Sequence, residues 1–493
     1  MMRSTTRRKL LLLLLLFLFA FAVRAVFPDT SYFFWDETVY LMHGKLLAGH
    51  LAGYSEISMR PPALPLLISP FSGLPSYELA SRLLVAFLNS FVVFPVYYLA
   101  KFVFNKKTAV LAAVIIALLP VHILNSRWVM TDAPGAMLAF SSVAAYLMGL
   151  GEGRGGRRFL VYAGGVFAAL AVMMKFTNLL LFVLLLPLLL FYIKKRFKDI
   201  IISLASGALT LLPYMVFSAL RFGGPLSAFS SAFFVVGQHD PVSFGFFLFT
   251  LRDSFGLLAL FLTLGILLCI LISLARFFTP FPAFANLRKS LAFPRLLPYL
   301  LFCWLVALAY YFLIMSRGVV KPPGIEWEVE RFLLLFALFS VPFISCGIVW
   351  SAAFASSLFC RYGSAGRIAA ALIVISLTLA AIADHSLLLY PQLKRAYAPA
   401  IIYEDGLREA TKEAGLFLRN SSFSEFGCIG NCPPISYYSG KMMSAYFTVA
   451  ALEEANQSAV LVSDDHLGSV SGRYSISGQF CSRRRCLYLV VRR

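Results

Sequence analysis

Two adjacent carboxylates, Asp36 and Glu37, stand in the segment FFWDETVYLMHGKLLAGH, just after an apolar run. A carboxylate at the edge of an apolar region can take a proton from an attacking hydroxyl. The same pair can simply start a helix, as N-cap or first-turn acids. The segment from Thr38 to Leu51 has helical spacing of Val39, Met42, Leu46 and Leu47, so it fits a helix lying flat at a membrane interface. Arg60 precedes Pro61 and Pro62 in MRPPALP. The prolines stiffen the chain, and a guanidinium is a forked donor suited to phosphate. An arginine meeting lipid headgroups reads the same way.

Three more charged residues stand at the ends of apolar runs. Asp132 lies in NSRWVMTDAP, where it is either a helix cap, with Pro134 near the first turn, or a functional acid. A charge at bilayer depth costs roughly 2.5–3.5 kcal/mol on insertion scales, so it is seldom placed there without a partner. Lys175 interrupts AVMMKFTNLLLF. It is a snorkelling lysine at a tight turn or a cation facing a cavity. Arg331 opens the run EVERFLLLFAL, where Glu328 and Glu330 offer local pairing. His239–Asp240 reads as a solvated loop pair. His122, His385 and His466 lack metal-ligand spacing, and the sequence contains no HExxH, paired CxxC or P-loop. GEGRGGRR reads as a turn, not a phosphate cradle.

The elements that must position these residues are apolar. Of 493 residues, 60% are hydrophobic and 13% charged, with mean hydropathy +0.81. A soluble domain carries about 25% charged residues. A cytosolic enzyme, a disordered chain and a disulfide scaffold are therefore excluded. Apolar spans fall near 10–27, 77–104, 108–125, 133–150, 159–174, 176–193, 200–218, 246–275, 297–316, 331–357 and 368–386, about eleven in all. The chain thus reads as an all-α polytopic membrane protein. The weakest division is 159–193, which only Lys175 interrupts. The first span follows a basic start and resembles a signal peptide, but is read as a retained helix.

The net charge is +20, yet the basic residues cluster between apolar runs, as topology signals rather than a nucleic-acid surface. Clusters at Arg3–Lys9, Lys101–Lys107, Arg154–Arg158, Lys194–Lys198, Arg276–Arg295 and Arg361–Arg367 mark the cytoplasmic side. The N-terminus is then cytoplasmic. The loops 28–76, 219–245 and 317–330 and the tail 387–493 are then extracytoplasmic. This divides the chain into a membrane domain, 1–386, and a soluble domain, 387–493. In the tail, Glu404–Arg419 reads as an amphipathic helix, Ser458–Ser463 as a strand and Tyr474–Val491 as a hairpin with CSRRRC at its turn. A small α/β or α+β domain is expected. Cys428, Cys432, Cys481 and Cys486 fit an oxidising exterior. Local pairs 428–432 and 481–486 are one of three connectivities, and free thiols are the alternative. Two sequons, at Asn420 and Asn456, agree with an external tail. No internal repeat and no matched pair of broken helices is present, which weighs against a secondary transporter.

In their order, these motifs resemble the GT-C membrane glycosyltransferases of the protein O-mannosyltransferase and aminoarabinose transferase type. The match rests on the DE motif, the basic-Pro-Pro segment, NSR…TDAP, the lysine after span five and ER-aromatic-LLLF. It is close over spans one to six, looser over seven to eleven and weak in the tail. Such enzymes take a sugar from a polyprenyl (dolichyl-type) phosphate at the extracytoplasmic face. The resemblance implies that Asp36, with Glu37 beside it, is the catalytic carboxylate. It also implies that Arg60, Asp132, Lys175, Arg331 and Tyr40 bind the donor's phosphate or sugar. Arg60 stands where members often have lysine. The oligosaccharyltransferase motif WWDYG and a clear DxD in the first loop are absent from the sequence. The implied reaction is an inverting displacement, with Asp36 as general base and a protein, lipid or saccharide as acceptor. A monophosphate donor among several fixed cations needs no cofactor, whereas a diphosphate donor calls for Mg²⁺ or Mn²⁺. The rival readings are a lipid-linked saccharide transporter or flippase and a non-catalytic envelope assembly protein.

Overall fold

The computed structural model describes residues 2–25, 35–50, 60–150, 158–227, 255–274, 296–318, 326–358 and 407–422. It also describes 425–429, 432–439, 442–446, 459–463, 474–482 and 485–492, with isolated residues Leu372, Ser376, Ala380 and Leu467. His239, Asp240, His385, Asn456 and His466, and the span expected at 368–386 apart from those isolated residues, lie outside them. The chain divides into two units. One comprises residues 1–27, 85–127 and 131–392. The other comprises 28–84, 128–130 and 393–493, so the first loop groups with the tail.

The first unit is built of apolar helices. It holds α1 (Met2–Ala25), the second half of α4 (Tyr77–Ser90), α5 (Val93–Val103), α6 (Lys106–Leu118) and α7 (Pro120–Asn125). It continues with α8 (Asp132–Leu150), α9 (Arg158–Met174), α10 (Asn178–Phe222), α11 (Leu258–Leu274), α12 (Leu297–Gly318) and α13 (Glu326–Leu358). Among the described residues, three helical stretches are long and apolar enough to cross a bilayer: Tyr77–Val103, Phe197–Leu220 and Leu333–Ser356. Shorter apolar helices are Leu10–Ala25, Arg158–Met174, Leu258–Ser273 and Leu297–Leu313. These account for part of the eleven spans expected from hydropathy.

Small residues let these helices approach backbone to backbone. This matters in lipid, where tails are as apolar as side chains and packing must drive association. A Cβ on Gly265 of α11 would collide with the Phe343 carbonyl of α13, and one on Gly347 would collide with the Phe261 carbonyl. Gly165 of α9 meets Ser203 in the same manner, and Gly207 approaches the Gly165 carbonyl.

Helix α10 covers both spans expected at 176–193 and 200–218. It is a single helical run of 45 residues, which would extend about 67 Å if straight. It is not straight. Ser203 donates to the Val161 carbonyl at 2.7 Å, and the Tyr214 ring lies 5.8 Å from that of Phe176. Residues 203–214 therefore run parallel to α9, and the chain must return between Asn178 and Ser203. In contrast α8 and α9 are antiparallel: Gly135 lies against Lys175, and Gly149 against Val161.

The second unit contains α2 (Trp35–Leu47), α3 (Ala63–Ile68), the start of α4, α14 (Leu407–Asn420) and α15 (Cys432–Ser439). Its sheet comprises β1 (Glu425–Ile429), β2 (Met442–Tyr446), β3 (Ala459–Ser463), β4 (Tyr474–Ser482) and β5 (Arg485–Arg492). The strand order is β2-β1-β3-β5-β4. β1 pairs in parallel with β2 and β3, while β5 is antiparallel to β3 and β4. α14 buries Ala410, Ala414 and Leu418, four residues apart on one face, and the Phe417 ring packs tilted against that of Phe480 in β4. Cys481 and Cys486 are opposite one another at the hairpin end and form a disulfide. Cys428 is also disulfide-bonded; the side chain of Cys432 lies outside those described.

Candidate functional site

In the second unit the two carboxylates of α2 go separate ways. Successive residues on a helix point about 100° apart, so only one of them can face inward. Glu37 does, and it is fully buried. Its oxygens accept from Arg82 Nε and a second guanidinium nitrogen of Arg82, each at 2.8 Å. The backbone N–H of Val129 donates to the same carboxylate at 2.9 Å. Arg82 is as buried as its partner. Sequence reasoning missed this arginine. Its signal was a guanidinium within the apolar run 77–104, where a charge demands a counterion.

Asp36 faces outward. Arg60 reaches it at 3.0 Å, and the two side chains keep 29% and 18% exposure, Arg60 the larger. Tyr40, one turn beyond Asp36, is buried, with its ring 6.0 Å from the Arg60 guanidinium. Pro61 and Pro62 are buried behind Arg60, and α3 starts at Ala63. The prolines thereby fix the direction from which the guanidinium approaches. Arginine has five N–H donors, so one can hold Asp36 while others address an anion. Asp36 thus combines an accessible carboxylate with a fixed cation beside it.

The far half of α2 is clamped. The Tyr77 hydroxyl donates to the Leu41 carbonyl at 3.0 Å. A Cβ on Gly44 would strike the Tyr77 hydroxyl and Ile68, so the close approach requires glycine. Lys45 lies 5.7 Å from the Tyr77 ring centroid and 4.0 Å from that of Tyr437 in α15. The Tyr437 hydroxyl donates to Glu78. Burial, reinforced by the Glu78 charge, pushes the Tyr437 phenol well above its ordinary range, so it stays a donor. His43 is buried with Nδ1 lacking a partner, and that burial lowers its pKa to about 4.

In the first unit, Asp132 opens α8 and Lys175 follows α9. Their side chains form an ion pair. Asp132 also lies in the first turn of α8, where an acid complements the helix dipole. Asn178 anchors the turn carrying Lys175, donating to the Ala171 carbonyl at 2.9 Å and the Gly135 carbonyl at 3.3 Å. Tyr310 of α12 reaches Thr177 at 3.1 Å. Gly135 is tight here: a Cβ would lie 3.1 Å from Asn178 and 3.2 Å from Lys175. Arg331 is half-buried near the start of α13; the side chains of Glu328 and Glu330 lie outside those described.

A further polar knot was not anticipated. Arg24, near the end of α1, is buried and donates to the carbonyls of Ala20, Ala117 and Ile116. It caps the C-terminal carbonyls of α6, where a cation is favoured. It also meets His122 Nδ1 at 3.2 Å. A guanidinium only donates, so Nδ1 accepts and the ring proton is on Nε2. Asn125 and Ser126 of the NSR segment bond carbonyls of α7 itself, those of Val121 and His122, and so shape the turn. Among the described residues no three His, Cys, Asp or Glu side chains gather as metal ligands.

Residues 59–219 match the family model described as dolichyl-phosphate-mannose-protein mannosyltransferase. That segment includes Arg60, Arg82, Asp132 and Lys175. The architecture of the chain is similar to two solved enzymes. One is ArnT from Cupriavidus metallidurans bound to undecaprenyl phosphate, with TM-score 0.63 and 13% identity, covering 97% of each chain. The fold is that of the GT-C glycosyltransferases. The other enzyme is the archaeal oligosaccharyltransferase AglB from Archaeoglobus fulgidus, in complex with an inhibitory peptide and a dolichol-phosphate. It aligns with TM-score 0.64 and 16% identity, over 93% of this chain and 69% of that one. No curated protein matches at the level of sequence. The GT-C resemblance read from the motifs therefore holds for the fold.

Proposed function

We propose that this chain is an integral-membrane glycosyltransferase. It moves a sugar from a polyprenyl-phosphate donor to an acceptor at the extracytoplasmic face. The observation that carries this reading is the division of labour on α2. Glu37 is fully engaged by Arg82 and the Val129 amide, whereas Asp36 stays partly exposed beside Arg60. Asp36 is the general base: it takes the proton from the acceptor hydroxyl as that oxygen attacks the anomeric carbon. The bond to the polyprenyl phosphate breaks in the same step, inverting the configuration. Glu37 holds the helix rather than the substrate. Phosphate is a good leaving group, so no general acid is needed.

Arg60, with Tyr40 behind it, takes part of the departing phosphate charge. Lys175, oriented by Asp132, and Arg331 are assigned to the lipid phosphate, where fixed cations in a low-dielectric setting act strongly. We read the donor as a monophosphate. The topology in this reading has about eleven spans, a cytoplasmic N-terminus and an external tail over 387–493. The description of the family model matched by residues 59–219 and the lipid phosphates bound by the two similar enzymes support the donor class.

The test is release of polyprenyl phosphate by the full chain in lipid nanodiscs. The donors are a labelled panel that includes dolichyl-phosphate mannose, supplied with an acceptor extract. Release with one donor, reduced at least roughly 100-fold in Asp36→Asn, is the expected result. Full activity in Asp36→Asn overturns the base assignment.

A further inference from the structure

From the contacts of α15 we infer that this tail helix is a positioning element for α2: Tyr437 and Lys45 lock the C-terminal half of α2 and so fix where Asp36 stands. The inference rests on the reading of Asp36 as base. Its geometric part stands independently.

The chain of contacts is continuous within the second unit. Lys45 comes from the last turn of α2, where a cation also suits the helix dipole. Its ammonium lies over the Tyr437 ring at 4.0 Å, well inside the roughly 6 Å over which a cation is drawn to a ring face. The Tyr77 ring flanks it on α4. Tyr437 then closes the set by donating to Glu78, the residue after Tyr77. Tyr77 in turn holds the Leu41 carbonyl, midway between Lys45 and Glu37. At the other end, Arg82, one turn beyond Glu78 on α4, holds Glu37. α2 is thus bolted to α4 at both ends, and one bolt passes through a residue some 390 positions downstream of the helix it secures (Tyr437 and Glu78 are separated by 359 positions).

α15 can serve as an anchor because it is itself fixed. A Cβ on Gly415 of α14 would lie 2.6 Å from Tyr438 and 3.1 Å from the Ile435 carbonyl, so α14 presses directly on it. Ile435 and Tyr437 are buried, and the disulfide-bonded Cys428 lies in β1 just before it. A rotation of α2 by a fraction of a turn would carry Asp36 away from Arg60. Arg82 resists it at the near end of α2 through Glu37, and Tyr437, Lys45 and Tyr77 resist it at the far end. The last three engage the far half of α2, at Leu41 and Lys45, so they act on Asp36 through the helix.

The experiment has two readouts on the full chain in nanodiscs. The first, hydrogen exchange of the α2 amides, needs no donor. Tyr437→Phe, which keeps the ring and loses the bond to Glu78, and Lys45→Met should each speed exchange in α2, while α8 and α9 exchange as before. Lys45→Arg, which keeps a cation over the ring, should restore protection. The second readout is turnover of dolichyl-phosphate mannose. Tyr437→Phe should lower kcat about tenfold, the scale of one hydrogen bond to a charged group, and leave KM for the donor unchanged. Unchanged α2 exchange in both variants overturns the clamp. Faster exchange with unchanged kcat overturns its role in positioning Asp36. If the wild type turns over no member of the donor panel, the proposed function fails, and exchange alone decides the clamp.

Discussion

Glu37 and Arg82 form a buried ion pair through two hydrogen bonds of 2.8 Å, and the residue before Glu37 is the one left facing outward. The pair explains how two neighbouring acids come to have different fates. A buried pair broken by removing one partner leaves a bare charge, at a cost of about 3–5 kcal/mol. Arg82→Ala should therefore lower thermal stability far more than Asp36→Asn, read by intrinsic fluorescence during heating. The double variant Glu37→Leu with Arg82→Leu should recover most of the loss, since apolar replacement removes both desolvation costs. A double variant as unstable as Arg82→Ala argues that shape, not charge, dominates there.

Lys175 is held by Asp132 and by a turn that Asn178 pins to two carbonyls. Lys175→Met should weaken binding of undecaprenyl phosphate about tenfold or more, as expected for losing a charged donor. Lys175→Arg should be intermediate, because a guanidinium fork meets Asp132 differently from a point charge. Binding measured by native mass spectrometry checks both. Equal affinity for all three proteins removes Lys175 from the donor site.

His43 gives the second unit a pH dependence. Burial lowers its pKa from the ordinary 6.5 to about 4. The unfolded chain therefore takes up a proton between those values and the folded chain does not. Stability conferred by the neutral ring is complete above pH 6.5 and falls as pH drops toward 4, by up to about 3 kcal/mol. Thermal unfolding at pH 7 and pH 5 should show a drop that His43→Gln reduces. An unchanged drop assigns the effect to other groups.

The disulfide Cys481–Cys486 closes a short hairpin loop. Chain entropy puts its contribution at roughly 2 kcal/mol for so small a loop. Replacing both cysteines by serine should fray the β4–β5 end and shift unfolding of the tail, without changing exchange in α8 or α9. Exchange along β4 is the measurement, and full protection in the variant refutes the estimate.

How much was legible in the sequence follows from how local each signal is. Hydropathy marked the apolar runs, because each residue's cost of burial is its own. The 3.6-residue pattern of α14 and the β4–β5 hairpin, whose strands are neighbours in the chain, were readable for the same reason. The motifs marked Asp36, Arg60, Asp132 and Lys175 as residues of interest but left open a helix cap for the two acids, a headgroup contact for Arg60 and a snorkelling turn residue for Lys175. Only the tertiary structure brought Glu37 to Arg82, 45 positions away, and Lys175 to Asp132, 43 positions away. The parallel pairs of β1 with β2 and β3 were likewise invisible, since a crossover separates such partners and no turn residue announces them. The return of the chain within α10 was legible in the basic cluster Lys194–Lys198 between two apolar runs, and the Phe176–Tyr214 and Val161–Ser203 pairs agree with it. Composition determined that this protein must bury itself in lipid; which of two adjacent acids faces outward was decided by a helix rotation that long-range partners hold in place.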